Sequence, residues 1–216
     1  MKSIQTLIAT AVLATVGIAH ADTLKTPSYA AGSFLYSVAS TNANSPFGYD
    51  SDPLQVSNLT TSTSFVAFCI EPFQGLSFGA NGALGSGDPT YTSAAFGNAA
   101  VQALYNGYYA HALDTKLMAA AFQFALWELV ADSGANLSAG IVAMAADPAV
   151  TLAQSMLAGV GASTTDQFTL TQWNSPRSQD LLQAAAVTAV PEPSTYAMLF
   201  AGLGAIGFIA RRRKSA

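Results

Sequence analysis

The chain has 216 residues, of which 51% are apolar and only 9% charged, with a formal net charge of −4. Soluble domains usually carry roughly a quarter charged residues, so a composition this rich in Gly, Ala, Ser, Thr and Asn points to an exported surface protein. Between Asp22 and Val190 the only cations are Lys25, Lys116 and Arg177, against eleven of the twelve carboxylates, and a body with no basic face excludes binding of nucleic acid by counterion release.

Residues 1–21 read as a secretory signal peptide: Lys2 supplies the positive start, Ile4 to Ile18 is apolar, and Ala19-His20-Ala21 is a small-x-small cleavage site. Residues 33–39 alternate as a half-buried strand does, and residues 42–53, rich in Asn, Ser, Gly, Asp and Pro, read as loop. A second strand is expected over 63–71, with Phe65, Ala67 and Cys69 on one face and Val66, Phe68 and Ile70 on the other. Pro72 stops it. A Gly-rich loop over 74–91 precedes a predicted helix over 93–105, capped by Ser93 and stopped by Asn106-Gly107.

The stretch 114–131 predicts one long amphipathic helix. Asp114 or Thr115 can cap it, and Leu117, Met118, Ala121, Phe122, Ala125, Leu126 and Leu129 recur at three- and four-residue spacing. Ser133-Gly134 ends it. A further helix starts at Asp147-Pro148 and ends near Gly159. Residues 167–173 and 181–187 read as strands. Strands, then helices, then strands predict an α+β fold: an antiparallel β-sandwich or sheet with an inserted helical subdomain, occupying 22–189 as one domain.

The tail, 190–216, opens with Val190-Pro191-Glu192-Pro193-Ser194, runs uncharged from Thr195 to Ala210, and closes with Arg211-Arg212-Arg213-Lys214. At about 1.5 Å per residue its apolar stretch spans ~24 Å, short of a ~30 Å hydrocarbon core. It can still span or transiently anchor in the inner membrane, with the basic cluster on the cytoplasmic side. These features together resemble the PEP-CTERM sorting signal of Gram-negative exopolysaccharide-producing bacteria. The resemblance implies that an exosortase-type enzyme removes the tail and that the protein passes to the cell surface or extracellular matrix.

Chemistry in the body is confined to few residues. Cys69 is the single cysteine, so the chain forms no intrachain disulfide and no cysteine zinc site. His111 is the one histidine outside the signal segment, and no G-x-S-x-G elbow is present, which disfavours a hydrolase. No cofactor or metal is expected. Gln123 is a primary amide on an apolar helix and must find a partner. Two readings stand side by side. In one, Cys69 is a small buried hydrophobe and Gln123 a core amide bonded to a backbone carbonyl. In the other, the Cys69 sulfur attacks the Gln123 amide carbonyl, ammonia leaves, and an internal thioester forms. That needs the atoms held at ~3–3.5 Å on rigid supports, with Phe68, Phe122, Phe124 and Trp127 excluding water.

Phe68-Cys69-Ile70-Glu71-Pro72, Leu104-Tyr105-Asn106-Gly107-Tyr108 and Phe122-Gln123-Phe124-Ala125-Leu126-Trp127, in that order, resemble the thioester domain of bacterial surface adhesins. The resemblance implies Cys69 as thiol, Gln123 as acyl donor, Trp127 as packing neighbour, and a β-sandwich with a helical insertion. The expected function is then covalent attachment to an amine-bearing surface or exopolysaccharide matrix. The alternative is a non-covalent structural or carbohydrate-associated matrix protein. Glu71 and Glu128 are weaker candidates, as acid or base near the pair. Asp50-Ser51-Asp52 has alternate carboxylates but lacks the Gly and distal Glu of a calcium loop. Asn58-Leu59-Thr60 and Asn136-Leu137-Ser138 match glycosylation sequons.

Overall fold

A computed structural model of the chain describes residues 21–29, 35–42, 48–77, 91–132, 134–161, 165–187, 198–203, 206 and 211. By contacts the chain divides into two units, Met1–Ala185 and Ala186–Ala216. In the first, nine strands are seen among the described residues: β1 (Ala21–Asp22), β2 (Leu24–Tyr29), β3 (Tyr36–Val38), β4 (Tyr49–Ser51), β5 (Leu54–Asn58), β6 (Thr63–Cys69), β7 (Tyr91–Ala95), β8 (Phe168–Asn174) and β9 (Leu181–Ala186). The helices α1 (Ala99–Tyr108), α2 (Lys116–Trp127) and α3 (Pro148–Gly159) lie between β7 and β8. The α+β class and the helical insertion are therefore as the sequence implies.

Seven strands form one sheet in the order β1-β7-β8-β9-β6-β5-β2, and β3 and β4 pair separately. β1 and β2 are consecutive in sequence yet stand at opposite edges of the large sheet, with only Thr23 between them. Thr23 accepts from Leu59 N–H at 2.8 Å and donates its own N–H to Thr60 Oγ1 at 3.0 Å. One short run of chain thus passes from one edge of the sheet to the other. The predicted signal boundary after Ala21 runs through β1. Gly48 leads into β4 past the Val38 carbonyl oxygen, which a Cβ would approach to 2.8 Å, so only a residue without a side chain fits that approach.

Several predicted elements shift. Residues 91–95 are a strand, with Ser93 opposite Trp173, and not the start of a helix. The cap of α1 is Asn98, whose Oδ1 accepts from Ala100 and Val101 N–H at 3.0 and 3.2 Å. The helix runs through Asn106-Gly107, where the half-buried Asn106 ties α1 to the segment before β8, its Nδ2 donating to Thr165 C=O and its Oδ1 accepting from Gln102 Nε2 and Gln167 N–H. The chain then tightens into a single 3₁₀ turn, Tyr109–His111. The loop expected at 42–53 contains β4, and β2 and β5 are strands that the sequence pattern does not announce. β2 lacks the alternation that signals a strand and carries a register shift between Lys25 and Ser28, a place where Pro27 is tolerated.

α2 is shorter than expected and is not amphipathic. Thr115 Oγ1 caps it by accepting from Met118 N–H at 3.1 Å, and every residue from Ala119 to Trp127 is buried. A helix apolar all round belongs inside, and α2 lies among α3, β3, β4 and β6. It ends in a π-helical turn, Glu128–Asp132, a local widening of the helix that is uncommon outside special sites. The helix predicted from Asp147-Pro148 to Gly159 is present, as are strands at 168–174 and 181–186.

Signal residues 1–20 lie outside the described residues, as do Val190, Pro191, Glu192, Pro193, Thr195, Ala210, Arg212 and Arg213. The tail is helical over 198–203. Among the described residues no helix is long and apolar enough to cross a membrane.

Candidate functional site

The site is built where β5 stops short. β5 pairs with β6 from Asn58↔Thr63 to Leu54↔Ala67, and continuing that register would set Asp52 opposite Cys69. Pro53 has no N–H to donate and the pairing ends there. Ile70 N–H points the other way, to Asp180 C=O at 3.0 Å, so the Cys69 N–H and C=O face the side that β5 has vacated. Gln123 of α2 fills this gap. Its Oε1 accepts from Cys69 N–H at 3.0 Å, and its Nε2 donates to Cys69 C=O at 2.6 Å. The carboxamide acts as one extra residue of strand, and it is held by both ends against the backbone of the only cysteine.

Both side chains are buried, Gln123 at 1% and Cys69 at 7% exposure. Burial first, and the Asp52 carboxylate second, push the Cys69 thiol up to about 12. Cys69 therefore stays a protonated thiol at neutral pH and is not a preformed thiolate nucleophile. A cavity of about 340 Å³ opens beside the pair, lined by Asp50, Asp52, Cys69, Gln123, Trp127 and Gln179 among others. Trp127 packs against Tyr49 and Phe124 with ring centroids 6.0 and 5.9 Å apart, and its buried Nε1 makes no hydrogen bond. Phe122, next to Gln123, turns instead into a ring cluster with Phe68 and Tyr105.

The weaker candidates fall elsewhere. Glu71 Oε2 accepts from Asp180 N–H at 2.9 Å, and the residue lines a neighbouring groove with Phe73 and Val130, not the cavity at Cys69. Glu128 is buried, with Oε1 accepting from Asn136 N–H at 2.8 Å and Oε2 unpartnered. It too is absent from the cavity lining. Glu128 follows Trp127 in sequence, but the π-turn carries it toward the 134–136 loop. His111 is exposed and pairs with Asp114 at 2.8 Å. Asn58 is buried with its amide donating to Asp22 at 3.0 Å, which removes it as a glycosylation acceptor. Among the described residues no cluster is arranged to hold a metal ion. Asp50 and Asp52, which in sequence are only alternate carboxylates short of a calcium loop, line the cavity beside Cys69 and Gln123.

Residues 189–214 match the PEP-CTERM protein-sorting motif. The motif is a signal for processing by exosortase and marks the chain as exported. No curated protein matches the chain. Among solved structures, the body is similar to a cysteine-to-alanine mutant of the N-terminal thioester domain of a surface protein from Clostridium perfringens. The identity is 15% and the TM-score 0.44, over 71% of this chain and 98% of that one. It is also similar to the N-terminal domain of the Streptococcus pyogenes pilus tip adhesin Cpa, at 14% identity and TM-score 0.40, over 76% and 99% of the two chains. Likenesses at this level assign no residue a role.

Proposed function

We propose that this exported protein attaches covalently to amine-bearing targets through an internal thioester between Cys69 and Gln123. One observation carries the reading: the Gln123 carboxamide is clamped at both ends by the main chain of the sole cysteine, at 3.0 and 2.6 Å. The Cys69 Sγ attacks Gln123 Cδ. The oxygen that gains charge, Oε1, already accepts from Cys69 N–H, a donor aimed where charge develops. The C–N bond breaks, Nε2 takes up the thiol proton, and ammonia leaves. An amine that later attacks Cδ breaks the C–S bond and leaves an amide on Gln123 and a free Cys69 thiol. This is an acyl-enzyme that fires once, without turnover. Gln123 is 1% exposed, and the buried Trp127 ring walls the cavity beside it, which limits the access of bulk water to the acyl carbon. After exosortase removes the tail, the amine-bearing surface of a neighbouring cell or an exopolysaccharide matrix supplies the target.

A second reading is favoured by the same two bonds, because they satisfy the amide fully without any reaction. In it Gln123 is a structural clip, and the protein is a non-covalent matrix component. Methylamine separates the two. The proposed function expects the wild type to incorporate one methylamine and release one titratable thiol, and Cys69→Ala to incorporate none. Amine uptake by Cys69→Ala would overturn it.

A further inference from the structure

Resting on that thioester reading, we propose that Trp127 is a catalytic residue: its indole Nε1–H is the second donor to the Gln123 carbonyl oxygen when the acyl carbon becomes tetrahedral. Trp127 is 3% exposed, and its Nε1 is buried with no hydrogen-bond partner. An indole N–H can only donate, and a buried donor left unpaired is a standing cost to the fold. Because Nε1 is shut off from solvent, an incoming ligand does not reach it. The acceptor it waits for is an atom of the protein that gains charge during the reaction. Gln123 Oε1 is that atom. Trp127 follows Gln123 by four residues, one turn of α2, so the two share a helix face, and the long side chain leans back over the preceding turn. Both line the cavity that holds Cys69.

Among the described residues Oε1 has one donor, Cys69 N–H at 3.0 Å, although a carbonyl oxygen carries two lone pairs. The other side-chain acceptors around the cavity are committed elsewhere. Asp50 is held at the surface by Ser37 Oγ, Asp52 is already engaged, and Gln179 is tied through its Nε2 to Glu71 C=O. Tyr49 and Phe124 pack against the indole and hold it in place. A bond absent from the resting amide and made only as charge develops lowers the barrier, because it favours the transition state over the ground state. In the closing step Cys69 Sγ bonds to Gln123 Cδ and the carbonyl electron pair moves to Oε1. Oε1 leaves the amide plane, and its charge is shared by Cys69 N–H and Trp127 Nε1–H. The thiol proton passes to Nε2, the C–N bond breaks, and ammonia departs. When an amine later attacks Cδ the same oxygen is charged again, the C–S bond breaks, and the surplus amine proton goes to Sγ.

The test removes the N–H and keeps the shape, by Trp127→benzothienylalanine, in which sulfur replaces the indole nitrogen, with Trp127→Phe as a second variant. Intact mass follows methylamine opening and spontaneous hydrolysis in the processed full-length chains that have lost ammonia. Loss of one oxyanion donor predicts that both reactions slow about a hundredfold. The denaturation midpoint of the sulfur variant should not fall, because no resting hydrogen bond is removed. A ring that only kept water out gives the opposite sign, with faster hydrolysis in Trp127→Phe. A sulfur variant with the native midpoint that never loses ammonia supports the role at the closing step. Rates unchanged or faster in both variants overturn the donor role while leaving the thioester standing. A wild type that never loses ammonia overturns both.

Discussion

At the scale of single residues, Glu128 is the clearest titratable test. Burial foremost, and the nearby Asp132 charge, raise its carboxyl above the ordinary value, opposed by the Asn136 N–H. The folded state then keeps a proton that the unfolded chain releases. Its contribution is therefore complete below the ordinary carboxylate range and is lost as pH rises through the raised native value. Glu128→Gln should flatten that decline, because an amide fills the same space without titrating. Urea midpoints from about pH 4 to about pH 8 check this; parallel curves for variant and wild type would contradict it. Cys69 and Gln123 were legible in sequence because one is the only thiol and the other an amide stranded among apolar residues. The placement of Glu128 was not legible, since a π-turn changes which way the next side chain points. That Asp50 and Asp52 line the cavity beside Cys69 and Gln123 was not legible, because the cavity is formed with a helix far along the chain.

At the scale of elements, caps decide where helices begin, and one of them also ties two parts of the body together. Asp147 Oδ1 accepts from Ala149 N–H at 2.7 Å and from Tyr36 OH at 2.8 Å, so one carboxylate caps α3 and docks β3. Asp147→Ala should cost about 1–2 kcal/mol, seen as a lower denaturation midpoint with an unchanged slope. An unchanged midpoint would mean that the cap is surplus. This start was readable because an Asp-Pro pair has one strong meaning. The start of α1 was not. Ser93 and Asn98 are both good caps, and what separates them is the pairing of β7 with β8, a tertiary contact that local sequence does not carry. The burial of α2 on all sides likewise depends on α3 and two sheets enclosing it.

At the scale of the whole molecule, the α+β order was legible from the sequence of strand and helix patterns. The joining of the sheet edges was not, because it depends on a segment beginning at a predicted cleavage boundary. That architecture has a functional consequence. The buried α2 brings Gln123 to Cys69, at the end of β6 where the β5 neighbour has stopped. The sorting tail delivers this body to the outside. The most direct measurement is the intact mass of the secreted, processed protein, with its ends fixed by peptide mapping. A Cys69–Gln123 thioester predicts a mass about 17 Da below that of the sequence, the loss of one ammonia, and no titratable thiol on unfolding. A full sequence mass with one thiol appearing on unfolding would contradict it.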